Sequence, residues 1–181
     1  MQLPSCEPLP GAKELLANLS RVDRLRMALA STATTHSYGL KTLRPQTKQL
    51  LDSFEAEHRI LGDDARVRRE KPAPDIYLVA LQAVNEGIDT PIMPIECLAS
   101  EDSVAGVEAG RRAGMRVVWV PHPDVAVELE GKRKDVLASR TWTSALGDEW
   151  QLGELDDGWA ECIPSLKDFD YRKYGIQKKC R

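Results

Sequence analysis

No stretch of the 181-residue chain approaches the run of about 18 apolar residues that a membrane-crossing helix needs, and no charged-then-apolar leader is present. Neither a membrane partner nor a secretory signal is therefore expected. Cysteine is sparse and scattered: Cys6, Cys97, Cys162 and Cys180 form no CxxC pair and no Cys/His ligand cluster. That spacing excludes a disulfide framework or a structural zinc site and suits a reducing cytoplasm. A basic face is missing as well. The net charge is -3, with Lys and Arg interspersed among Asp and Glu, which argues against nucleic acid or an acidic membrane surface as partner. What remains is a chain with 42% hydrophobic content, enough for one globular core and a tail, with small soluble molecules as its expected partners.

The apolar pattern alternates between strand-like and helix-like segments. "PGAKELLANLSR" (10–21) has proline at a plausible first helical position and Leu15, Leu16 and Leu19 at helical spacing. "LRMALA" (25–30) reads as a short strand. The stretch 36–53 is expected to be helical in its second half, from Pro45 onward, and "EHRIL" (57–61) is a weaker strand. A charged loop, "GDDARVRREKPAP" (62–74), leads into the clearest helix, "PDIYLVALQAVNEG" (74–87). That helix opens at proline, stops at Gly87 and is expected to bury Ile76, Leu78, Val79, Ala83 and Val84. "IECLAS" (95–100) and "RVVWV" (116–120) read as strands around a helix capped at Gly114. A strand-helix-strand unit this compact implies parallel pairing. Four βα-type repeats predict an α/β fold, an open parallel sheet with helices on both faces.

Ligands of such sheets bind beyond the carboxyl ends of the strands. Ser31 and Thr32 directly follow the strand at 25–30, and Glu101 and Asp102 follow the strand at 95–100. Lys71, in the charged loop, is placed to reach the same rim. A hydroxyl, an ammonium and paired carboxylates converging there make a phosphate and Mg²⁺ site: carboxylates suit a hard cation, while lysine and a hydroxyl suit phosphate oxygens. Each residue taken alone has a plainer reading. Ser31 fits a helix N-cap, Lys71 a solvated lysine, and "EDS" a cap with favourable dipole charge. Their joint order favours the site. Arg68, Arg69, His36, His58 and His122 lack such support and read as surface or loop residues.

The order "ALAST", "KPAPDIYLVAL", "EDSVAGVEAGRRAGM" and "VVWVP" resembles the haloacid dehalogenase superfamily, in its branch of small-metabolite phosphatases similar to pseudouridine-5'-phosphatase. The resemblance covers roughly residues 8–124, with a weaker echo in "SLKDFDYRKYGI" (165–176). It implies a phosphomonoesterase of small sugar or nucleoside phosphates that works through an aspartyl-phosphate. Ser31 and Thr32 would then bind the phosphoryl group, Lys71 would steady its charge, and Glu101 and Asp102 would hold Mg²⁺. Lys71 and Ser31 become the catalytic candidates.

Members of that superfamily open with a strand ending in a DxDGT-like motif, whose first aspartate is the nucleophile. The chain contains no such motif, and "LGDDARV" lacks the DxD spacing. By the resemblance, the first, central strand and the helical cap are missing, so a truncated form without turnover is expected. The alternative is a non-catalytic remnant that binds phosphate or a protein. The missing strand would lie between the strands at 25–30 and 95–100, which would either pair directly or leave a gap one strand wide. Residues 1–124 are read as an incomplete α/β core, and 125–181 as a carboxyl-terminal extension whose Trp142, Trp150 and Trp159 pack against it.

Overall fold

A computed structural model describes residues 7–141 and 153–177; Trp142, Trp150, Cys6 and Cys180 lie outside that range. In chain order the elements are α1 (Ala12–Leu19), β1 (Leu29–Ala30), α2 (Thr35–Thr42), α3 (Pro45–Leu51), β2 (Arg59–Ile60), α4 (Asp75–Asn85), β3 (Leu98–Glu101), α5 (Val104–Arg112), β4 (Arg116–Trp119), α6 (Pro123–Glu128), α7 (Arg133–Leu137) and β5 (Ala160–Cys162). Every strand pair is parallel. β1 pairs with β2 in one sheet, and β3, β4 and β5 form a second in that order. The expected α/β architecture is therefore present, divided between two sheets. β1 and β3 do not pair directly.

β4 shows why helices cover both faces. Its side chains alternate, as the two-residue strand period requires. Val117 and Trp119 join a core with Ile60, Ile76, Tyr77, Val107 and Val136, while Val118 and Val120 join Leu15, Leu166 and Phe169 on the other face. Val117, Val118 and Trp119 are each at most 1% exposed, as the unbroken apolar run "VVWV" demands of a strand buried on both sides. α5 packs on β3 and β4, α4 on β1 and β2, and α1 on the segment around Leu166.

Several expectations need correction. β1 is confined to Leu29–Ala30, because its partner β2 offers only two residues of ladder, and residues 25–28 precede it outside the sheet. The stretch 36–53 is helical in both halves, with Pro45 at the first position of α3. On α4 the buried face is Ile76, Tyr77, Val79, Ala80, Ala83 and Val84, while Leu78 is exposed. His58, expected at the surface, is buried in the turn before β2. The sequence pattern gives no sign of β5, which brings the carboxyl-terminal segment into the sheet beside β4.

Two helical glycines differ in their surroundings. A Cβ on Gly110 of α5 would lie 2.9 Å from Val117 Cγ2 and 3.3 Å from Ala99 Cβ, so that helix rests directly on β3 and β4. Gly39 of α2 faces open space. Gly110→Val is expected to destabilise the fold by about 2 kcal/mol through overpacking. Gly39→Ala is expected to stabilise it by about 0.5–1 kcal/mol through helix propensity. Urea unfolding of the two variants against the parent checks the opposite signs.

Candidate active site

Lys71 bridges the ends of β1 and β3, where Ser31 and Thr32 follow Ala30 and Asp102 follows Glu101. Ser31 continues the ladder of β1 by donating its N–H to Ile60 O at 3.0 Å, and its Oγ accepts from Ala33 N at 3.2 Å. The helix-cap reading therefore does not apply to Ser31. The cap of α2 is Thr34, whose side chain accepts from Ser37 N. One bond accepted leaves the Ser31 hydroxyl a proton to donate. Thr32 is exposed beside it, and Gly62 sits so close that a Cβ there would fall 2.4 Å from Thr32 O. That contact fixes the turn carrying both hydroxyls.

Lys71 enters from the loop before α4, with a cis bond to Pro72. Its Nζ donates to Ala30 O at 3.1 Å and to Glu101 Oε1, and the Lys71 and Glu101 side chains are each only 8% exposed. The same Oε1 accepts from the Tyr77 hydroxyl, and the Tyr77 ring centroid lies 4.8 Å from Nζ. Burial first, and then the Glu101 charge, hold the Tyr77 phenol well above its ordinary range, so it serves as a donor. Glu101 Oε2 accepts from Ser103 Oγ at 3.3 Å. Asp102 is exposed, with its backbone carbonyl accepting from the indole of buried Trp119 at 3.1 Å. The capping reading of "EDS" belongs to Ser103 alone, whose Oγ accepts from Gly106 N at 3.0 Å. Neither acidic side chain is taken by the cap.

Other carboxylates near the rim are occupied. Asp63 accepts from Thr35 N at 2.9 Å through both oxygens, and this bond above all lowers its pKa. Asp64 is paired with Arg66 at 2.8 Å, and Arg66 likewise lowers its pKa. Burial pushes the Cys97 and Cys162 thiols up, which makes both poor nucleophiles. Among the described residues no group of three or more His, Cys, Asp or Glu side chains could hold a metal on its own. Mg²⁺, however, usually takes one or two carboxylates and completes its shell with water and substrate phosphate. Asp102, next to Glu101, fits that mode and does not fit a closed cage. Sequence reasoning missed Tyr77, and of Ser103 it saw the cap but not the bond to Glu101. Tyr77 has a signal in the pattern, since it stands three residues before buried Ala80 on the same side of α4.

Residues 3–114 match the family model of haloacid dehalogenase-like hydrolases, and the chain belongs to that family. A probable pseudouridine-5'-phosphatase of Saccharomyces cerevisiae is 33% identical over 175 residues, covering 95% of this chain and 63% of the relative. The (DL)-glycerol-3-phosphatase 2 of Arabidopsis thaliana is 32% identical over 155 residues, covering 85% and 60%. The chain thus spans about three fifths of the length of these relatives. A solved hydrolase of the same superfamily from Entamoeba histolytica aligns with 92% of this chain and 58% of its own at a TM-score of 0.57 and 19% identity, a likeness of fold.

The pair Lys71–Glu101 is close to buried, so removing one partner strands the other. Lys71→Met is expected to cost about 2 kcal/mol of stability, between the values for exposed and fully buried pairs, and adding Glu101→Gln should recover more than half of it. Chemical denaturation of the single and double variants measures both.

Proposed function

We propose that this chain carries the phosphate-holding and cation-holding part of a phosphomonoesterase site for small phosphorylated metabolites. The observation that carries the reading is Lys71, held by Ala30 O and Glu101 at a rim that also bears Ser31, Thr32 and Asp102. Ser31 and Thr32 would donate hydroxyl hydrogen bonds to phosphate oxygens. Lys71 would supply the positive charge against which a phosphoryl group is oriented, in a site where burial strengthens the attraction. Asp102, with Glu101 beside it, would hold Mg²⁺, which when bound neutralises charge on phosphate oxygens. The names of the relatives, a pseudouridine-5'-phosphatase and a glycerol-3-phosphatase, support small phosphate monoesters as the substrate class. A reducing, aqueous compartment such as the cytoplasm suits free Cys97 and Cys162, and no helix among the described residues is long and apolar enough to cross a membrane.

A covalent aspartyl-phosphate route needs a carboxylate that is free to attack phosphorus. Asp63, Asp64 and Glu101 are each engaged by protein donors, and Asp102 is the cation ligand in this reading. This favours a second reading of the 181-residue chain taken alone, that of a phosphate-binding unit without turnover.

Two outcomes test these readings. The purified chain should hydrolyse a generic phosphomonoester with Mg²⁺ no faster than buffer, since loss of a covalent nucleophile costs several orders of magnitude. Robust hydrolysis abolished by EDTA would instead place a nucleophile among the residues present. Inorganic phosphate binding, followed by ³¹P line broadening, should be weakened more than about tenfold by Lys71→Ala. Ser31→Ala should weaken it only about fivefold, because a neutral hydroxyl contributes about 1 kcal/mol. A reversed ranking removes Lys71 from the phosphate end of the site.

A further inference from the structure

The site contains a charge that opposes its own ligand. An anion approaching Lys71 meets an ammonium already engaged by Ala30 O and Glu101 Oε1, with its nearest remaining neighbour, the Tyr77 hydroxyl, at 3.5 Å. A lysine has three N–H donors, so little of this one is left for phosphate. Glu101 is not a loose side chain that drifts aside. Lys71 and Tyr77 bind its Oε1 and Ser103 binds its Oε2, while α5 stands so near that a Cβ on Gly106 would fall 1.9 Å from Oε2. Phosphate would have to displace a well-held carboxylate or bind beside its negative charge.

We infer that Glu101 is an internal competitor for Lys71: phosphate binds when the Lys71–Glu101 bond opens, and a divalent cation at Asp102 promotes binding by drawing Glu101 to itself. The inference rests on the phosphate-site reading given above. Cation and anion then favour one another, because each removes the other's competitor, and linkage makes the effect reciprocal. Glu101 becomes a positioning residue whose hold on Lys71 is set by Tyr77. The buried phenol shares Oε1 with the ammonium and draws off part of the carboxylate's charge. Without the phenol, Lys71 is left as the principal donor to that oxygen and is gripped more tightly.

Calorimetric titration of inorganic phosphate into the full 181-residue chain, with and without Mg²⁺, tests this on the parent, Glu101→Gln and Tyr77→Phe. Without Mg²⁺, Glu101→Gln should bind phosphate about tenfold more tightly than the parent, the change expected if Lys71 is free in about one parent molecule in ten. Tyr77→Phe should bind more weakly. Mg²⁺ should tighten phosphate binding to the parent and lose most of that effect in Glu101→Gln. A merely structural Glu101 would give the opposite result, weaker binding in Glu101→Gln. That outcome, or an unchanged affinity, overturns the inference while the phosphate site stands, because the parent still binds. If no protein binds phosphate with or without Mg²⁺, the phosphate-site reading falls and the inference falls with it. Should Glu101→Gln fail to fold, Tyr77→Phe decides: weaker binding supports the competition, and equal or tighter binding refutes it.

Discussion

The rim of this molecule depends on one ammonium group that joins two sheets. Among the described residues no strand ladder links β1–β2 to β3–β4–β5, so backbone pairing does not fix where the end of β1 lies relative to the end of β3. Side chains must do so. Most of the cohesion comes from the shared apolar layer: Ile60 from β2, Ile76 and Tyr77 from α4, and Ala99 and Val117 from the second sheet lie in one cluster. Each large member contributes about 1.5–3 kcal/mol by burial, so this layer outweighs any single ion pair. Hydrophobic contact is non-directional, however, and tolerates sliding. Lys71 supplies direction, because it holds a carbonyl of β1 and a carboxylate of β3 at one nitrogen. Removing its charge would cost modest stability and the directional link between the end of β1 and the end of β3.

The parts of this arrangement legible in the sequence were those with a strong local cause. "VVWV" could only be a strand buried on both faces, and Gly87 and Gly114, at φ 75° and 77°, each follow the C-cap of α4 and α5 as helix-stopping glycines do. Given parallel strands, the strand-end rule puts Ser31, Glu101 and Asp102 on one rim, and the loop before α4 lets Lys71 reach it. What escaped had no local cause. β5 is three residues of mixed character, and it is a strand because β4 offers it an open edge. His58 is buried because the turn before β2 folds under α4, a tertiary fact. Tyr77 lay inside a helix already accounted for by its apolar residues, and its hydroxyl matters only because β3 ends opposite it.

The same division explains how two adjacent carboxylates come to have different work. Side chains two apart on a strand share a face. Ala99 is buried in the cluster that contains Tyr77, so Glu101, two residues on, is aimed at the same face and meets Tyr77 and Lys71. Asp102 stands one residue further, past the last residue of β3, and is exposed. Strand register, and not any difference in acidity between glutamate and aspartate, commits one carboxylate to the protein and leaves the other to solvent. Ser103 then closes the geometry by capping α5 and holding Glu101 Oε2, which frees Asp102 from the capping duty its position invites. A doubled charge at the end of a strand is thus a way to obtain an inner carboxylate that holds a lysine and an outer one open to solvent, from a single element whose pleat decides which is which.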